Sequence, residues 1–127
     1  MSMSITMKII PLVLTAMMFL SPLSAGAAKP DVNVPFKHAL GQSLFNENCS
    51  ECHGTWGMGS DSGPPLMHQF YLPGHHGDQS FYRAALKGVR AHHWNFGDMP
   101  PVPGISKRAL DKIVPYIRWL QKETMAN

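Results

Sequence analysis

Cys49-Ser50-Glu51-Cys52-His53, followed by Gly54, is the stretch on which the reading of this chain turns. It contains both cysteines of the 127 residues. Three ordinary uses of such a pair fit poorly. A thioredoxin-like CxxC follows a strand in a βαβ pattern, whereas the preceding GQSLFNEN (residues 41–48) reads as helix. A structural zinc site needs a second pair of ligands. His75-His76 or His92-His93 could be recruited, but adjacent histidines are expected to point in divergent directions. A plain disulfide would close a tight, strained loop and leave His53 unexplained.

The remaining use explains every residue of the motif. CxxCH is the attachment signature of a c-type haem. Two cysteines three apart near a helix end can add to the vinyl groups on one porphyrin edge. The next residue's imidazole then lies under the iron as proximal ligand. Covalent haem c, one per chain, is therefore the expected cofactor, with Cys49 and Cys52 as attachment points and His53 on the metal.

Outward from the motif, the chain splits into three parts. Lys8, the apolar residues 9–20 (IIPLVLTAMMFL) and Ala25-Gly26-Ala27-Ala28 have the layout of a secretory signal cut after Ala27. The apolar run holds about 12 residues and a proline, where a membrane span needs roughly 20. The expected organisation is a cleaved leader over 1–27, an N-terminal extension over 28–38 and one domain over 39–127, in the periplasm, with no membrane span after cleavage. About 100 mature residues make one small domain, for which a cofactor is a useful staple. Without Lys8 the cations fall to 10 against 8 acids. A balance so mild argues against a nucleic-acid binder.

Three helices are expected. The first covers 39–48, with Leu40, Leu44 and Phe45 as its apolar face. A second starts at Asp78 as N-cap and stops at Gly88. The last begins at the cap Ser106 and carries an apolar stripe of Leu110, Ile113, Val114, Ile117 and Leu120. Pro115 inside it should bend the helix without ending it. Residues 54–77 read as mostly structureless, which in so small a domain requires something to wrap.

From residue 39 to 121 the chain resembles the class I cytochrome c family. Gly41 and Phe45 match the first helix, Cys49 to Gly54 the CxxCHG, Gly63-Pro64-Pro65-Leu66 the following loop, and Met99-Pro100 the distal loop. The final helix carries the expected aromatic in Tyr116. The resemblance implies an all-α cytochrome c fold wrapped around one haem, with Gly41 letting the last helix cross the first closely. It also implies Met99 as sixth ligand. Met58 follows His53 by only five residues, Met125 is at the terminus, and Met67 lies in the stretch that flanks the proximal face. The Pro64 carbonyl is implied as acceptor from the His53 ring. Tyr71 and Trp94 are candidates either for bonding a propionate or for packing in the pocket.

The function implied is a periplasmic one-electron carrier that turns over no substrate, a monomer that docks with redox partner proteins. Lys37, Lys87, Arg90, Lys107 and Arg108 could form a cationic rim or simply a solvated surface. Two alternatives stay open. One adds a copper site through His75/His76 and His92/His93, with Met67 as a further soft ligand. The other is a ligand sensor or weak peroxidase in which Met99 leaves the iron open.

Overall fold

The computed structural model describes residues 29–126; the leader expected over 1–27 lies outside them. In chain order the elements are α1 (Phe36–Asn48), α2 (Ser50–His53), a 3₁₀ turn at Thr55–Gly57, a second at Gln69–Tyr71, α3 (Asp78–Lys87) and α4 (Lys107–Met125). Among the described residues there is no β-strand beyond two isolated bridges, Ser60 with Gly63 and Val89 with Met99. The expected all-α architecture is what the chain adopts.

The long helix α4 organises the core. Its start is set by Ser106, whose hydroxyl accepts the Ala109 N–H at 3.1 Å and so satisfies one of the free donors of a first turn. Leu110, Ile113, Val114, Ile117 and Leu120 are buried as their spacing predicts, and Tyr116 and Gln121 join them. Pro115 faces solvent and the helix runs through it. The missing N–H leaves the Asp111 carbonyl, one turn back on the same exposed face, free to bond water.

Helix α1 begins three residues earlier than expected, after Pro35, whose extended backbone (φ −61°, ψ 148°) leads into the first turn. Of its expected apolar face, Phe45 is buried and Leu44 packs against the core, but Leu40 does not. Leu40 is 56% exposed, and the inward stripe is Gly41 and Phe45. The reason is the partner helix. A Cβ on Gly41 would run into the Lys112 carbonyl and lie 2.8 Å from Tyr116 Cβ, so the bare position is where α4 can approach closest. One turn on, the Phe45 ring meets Tyr116 at 5.7 Å between centroids. Farther along α4, Trp119 stacks on His38 at 5.5 Å.

Helix α3 departs from expectation at its start. Gly77 is the N-cap, and Asp78 is the first helical residue, with no capping bond. Its carboxylate instead accepts from Arg118 Nε at 2.7 Å, and a negative charge in a first turn also suits the helix dipole. Gly88 stops the helix as read, at φ +78°, a conformation that favours glycine. A Cβ there would lie 2.6 Å from the Met99 carbonyl. Residues 54–77 are mostly without regular structure, as expected, apart from the two 3₁₀ turns and the Ser60–Gly63 bridge.

Because Gly41 is in contact with backbone as well as a side chain, Gly41→Ala should cost about 1–3 kcal/mol. Urea unfolding of the haem-loaded protein should show a lower midpoint with an unchanged slope. An unchanged midpoint would mean that the two helices do not depend on this contact.

Candidate functional site

The CxxCH segment is folded as a helical corner. Cys49 closes α1, donating its N–H to the Phe45 carbonyl at 2.8 Å, and His53 donates to the Cys49 carbonyl at 2.9 Å. The two cysteines are not joined to each other; Cys49 is half-buried and Cys52 exposed. Burial first, and the neighbouring Cys52 second, push the Cys49 thiol up to about 11. A redox-active CxxC needs the opposite, a thiol lowered toward neutrality.

The next loop folds back over this corner. Gly59 donates to the His53 carbonyl at 2.7 Å, and the Ser60 hydroxyl donates to the Cys52 carbonyl at 2.6 Å. Gly63 passes so close that a Cβ would lie 2.7 Å from the Cys52 oxygen. The outcome is a 2.9 Å hydrogen bond from His53 Nδ1 to the Pro64 carbonyl. A carbonyl only accepts, so Nδ1 carries the proton and the lone pair is on Nε2. Such a bond orients an imidazole for a metal and raises its basicity. Burial lowers the pKa of His53, with the Pro64 bond acting the other way. Its ligand-competent neutral form is favoured.

A cavity of about 550 Å³ opens beside the motif, within the size range of small-molecule and cofactor sites. Cys49, Cys52, His53, Pro64, Tyr71, Trp94 and Met99 all line it. The sequence-predicted residues, spread over fifty positions, are thus brought together. Leu110, Ile113 and Ile117 of α4 supply an apolar wall. Among the described residues Met99 is the one methionine in the lining. Its backbone is pinned by paired 2.9 Å bonds with Val89. Met67 packs in the core, its methyl 3.3 Å from where a Gly57 Cβ would be.

The residues present fit a haem. Two thiols, an imidazole with a free Nε2, a thioether and an apolar wall face one space. The Trp94 indole N–H adds a donor that is buried with no partner in hydrogen-bonding geometry. An unpaired buried donor costs about 1–3 kcal/mol, and a propionate oxygen would satisfy it. The Tyr71 hydroxyl is its neighbour, raised in pKa by burial, with the indole acting the other way.

Of the proposed cationic rim, Lys87 and Arg90 border the cavity, together with Arg83, which the sequence did not single out. Lys107 instead pairs with Asp111 at 3.1 Å on the surface of α4. The histidines also need correction. Adjacency does not keep His75 and His76 apart, for one ring nitrogen of each lies within 4.8 Å of one from His93. His92 is outside that group. The pKa of His93 is lowered by desolvation first and then by the charges His92, His75, His76 and His68 would carry.

Arg118 is the residue that sequence reasoning missed. Its side chain is 16% exposed and binds Asp78, the carbonyls of Tyr71 and His76 at 2.6 Å each, and the Gln121 side chain. It also stacks over Phe81. A single cation of α4 thereby ties down the loop that carries Tyr71 and the histidines. A basic residue on the flank of an amphipathic helix gives no hint of this in sequence.

An all-helical chain whose CxxCH corner, backfolded loop and methionine face one apolar cavity defines a haem-binding electron-transfer protein. The chain belongs to the cytochrome c family: the profile described as Cytochrome c matches residues 38–121. Its cofactor is accordingly covalently bound haem c. Two similar curated proteins are the Cbb3-type cytochrome c oxidase subunits CcoP of Azospirillum sp. (strain B510) and Azospirillum brasilense. Each is 35% identical over 77 residues, 61% of this chain and 25% of the relative. The chain therefore spans about a quarter of the length of these relatives. No solved structure matches it significantly.

Replacing Arg118 by Ala strands the His76 carbonyl and weakens the tie on Tyr71, whose carbonyl keeps Gln121. We expect a loss of about 1–3 kcal/mol. Hydrogen exchange should be faster across residues 69–77 and unaltered in α1; uniform protection throughout would contradict the strap.

Proposed function

We propose that this chain is an exported, periplasmic one-electron carrier. Cys49 and Cys52 would hold the haem through thioethers, and His53 Nε2 and the Met99 sulfur would be the ligands of its iron. The observation that carries this reading is the His53–Pro64 hydrogen bond, which orients the imidazole toward the cavity that Met99 also lines. Haem c supplies, when bound, a one-electron Fe(III)/Fe(II) couple.

The chain's own residues decide how that couple behaves. Pro64 holds the His53 ring and makes it a better donor. The soft thioether of Met99 favours the ferrous form and raises the potential. With His53 and Met99 both as ligands, no easy vacancy would be left for a small ligand, which favours electron transfer over turnover. Leu110, Ile113 and Ile117 exclude water from one wall, and Trp94 donates to a propionate. Lys87, Arg90 and Arg83 flank the cavity, a charge pattern suited to brief, salt-sensitive docking with acidic faces of redox partner proteins. The similarity to subunits of a cytochrome c oxidase supports a partner within an electron-transfer chain. A monomer suffices for this role. Among the described residues no helix is long and apolar enough to cross a membrane, and export rests on the leader.

A potentiometric titration followed optically tests the reading. Met99→Ala should abolish the near-infrared Met-to-iron band of the ferric protein. The midpoint should fall by at least about 60 mV, a tenfold change in the oxidised-to-reduced ratio. If band and midpoint both persist, Met99 is not the ligand. If the wild type lacks the band and its ferrous form binds carbon monoxide readily, the open-site alternative takes over.

A further inference from the structure

The turn after Gln69–Tyr71 folds His75 and His76 over one acceptor, both backbone N–H groups donating to the Leu72 carbonyl at 2.9 Å. His93 comes from the loop between α3 and Met99, and its Nε2 stands 3.1 Å from His75 Nε2. One ring nitrogen each from His75, His76 and His93 lies within 4.8 Å of the others. Two imidazole nitrogens bound to one tetrahedral ion at 2.0–2.1 Å are about 3.3 Å apart, so the His75–His93 spacing is already close to that of a chelating pair.

Two features hold these rings in place. His76 Nδ1 donates to the Phe70 carbonyl, which leaves the lone pair on Nε2. That is the outer bond characteristic of metal-binding histidine. Phe70 also stacks on the His93 ring, 4.4 Å between centroids and 22° from parallel. The neighbouring Arg118 guanidinium, bonded to the His76 carbonyl, has its charge offset by Asp78 at 2.7 Å. None of the three histidines belongs to the axial pair proposed for the haem, though His76 and His93 reach the edge of its cavity.

We propose that His75, His76 and His93 form a second metal site, at the rim of the haem pocket, for one divalent transition-metal ion. Imidazole ligands suit copper and zinc, and the general affinity order puts copper(II) first. Water fills any remaining position. His92 and Met67 take no part.

The test uses the mature, haem-loaded ferric protein, titrated with copper(II) or zinc(II) chloride against a competing chelator. One ion should bind per chain, and the copper form should show nitrogen coupling in its EPR spectrum. His75→Gln and His93→Gln should each weaken binding at least tenfold, and His38→Gln should leave it unchanged. His75 is exposed, so His75→Gln carries the test if the His93 variant fails to fold. An unaltered haem absorption spectrum in each variant separates this result from any failure of the haem assignment. Absence of stoichiometric uptake, or equal affinity in the His75 variant and the wild type, overturns the site and leaves the histidines as polar neighbours of the propionates.

Discussion

The close crossing of α1 on α4 at Gly41 is the constraint from which the rest of the molecule is built. It seats α1 on α4, and α1 runs to Asn48 with Cys49 as its C-cap. Cys49, the first attachment point in the proposed reading, therefore stands two turns beyond that helix contact. The same α4 that receives Gly41 and Phe45 turns Leu110, Ile113 and Ile117 toward the cavity. Core and cofactor wall are one apolar stripe, so burial of that stripe is shared between α1 and the haem. In a domain of this size that sharing matters, since polypeptide alone offers a thin core.

Around that frame the loops are held by single directed bonds. The segment after the motif returns over α2 because glycine at 63 lets backbone touch backbone at the Cys52 carbonyl. The return delivers the Pro64 oxygen to His53. On the distal side, Gly88 turns the chain at positive φ and admits the Met99 backbone to its bridge with Val89. Arg118 reaches from α4 to the carbonyls of Tyr71 and His76, late in the same 54–77 stretch. Each loop thus carries its functional side chain on a backbone tied at a named point, which keeps reorganisation small when an electron arrives.

Much of this was legible from residue order. The stop at Gly88, the cap at Ser106 and the stripe of α4 depend on local rules of spacing and capping, and all three hold. On the expected face of α1, Phe45 is buried and Leu44 packs against the core, while Leu40 lies outward as the helix fits itself to α4. Its own composition is nearly indifferent between neighbouring faces, and the close approach at Gly41 decides. Asp78 looked like a cap because Asp often is one; the nearby guanidinium of Arg118 takes its carboxylate instead.

What the sequence alone determined is the chemistry: two cysteines and a histidine at covalent-attachment spacing, and a methionine in a proline-rich turn. Such properties are set by residue identity over a few positions. Only the tertiary structure decided which groups meet across long separations. The unpaired Trp94 N–H in the cavity, the Arg118 strap and the convergence of His75, His76 and His93 are of this kind. Those contacts follow from how helices pack and loops close. The free energy of packing and closure is spread over many weak interactions and leaves no mark at any one residue.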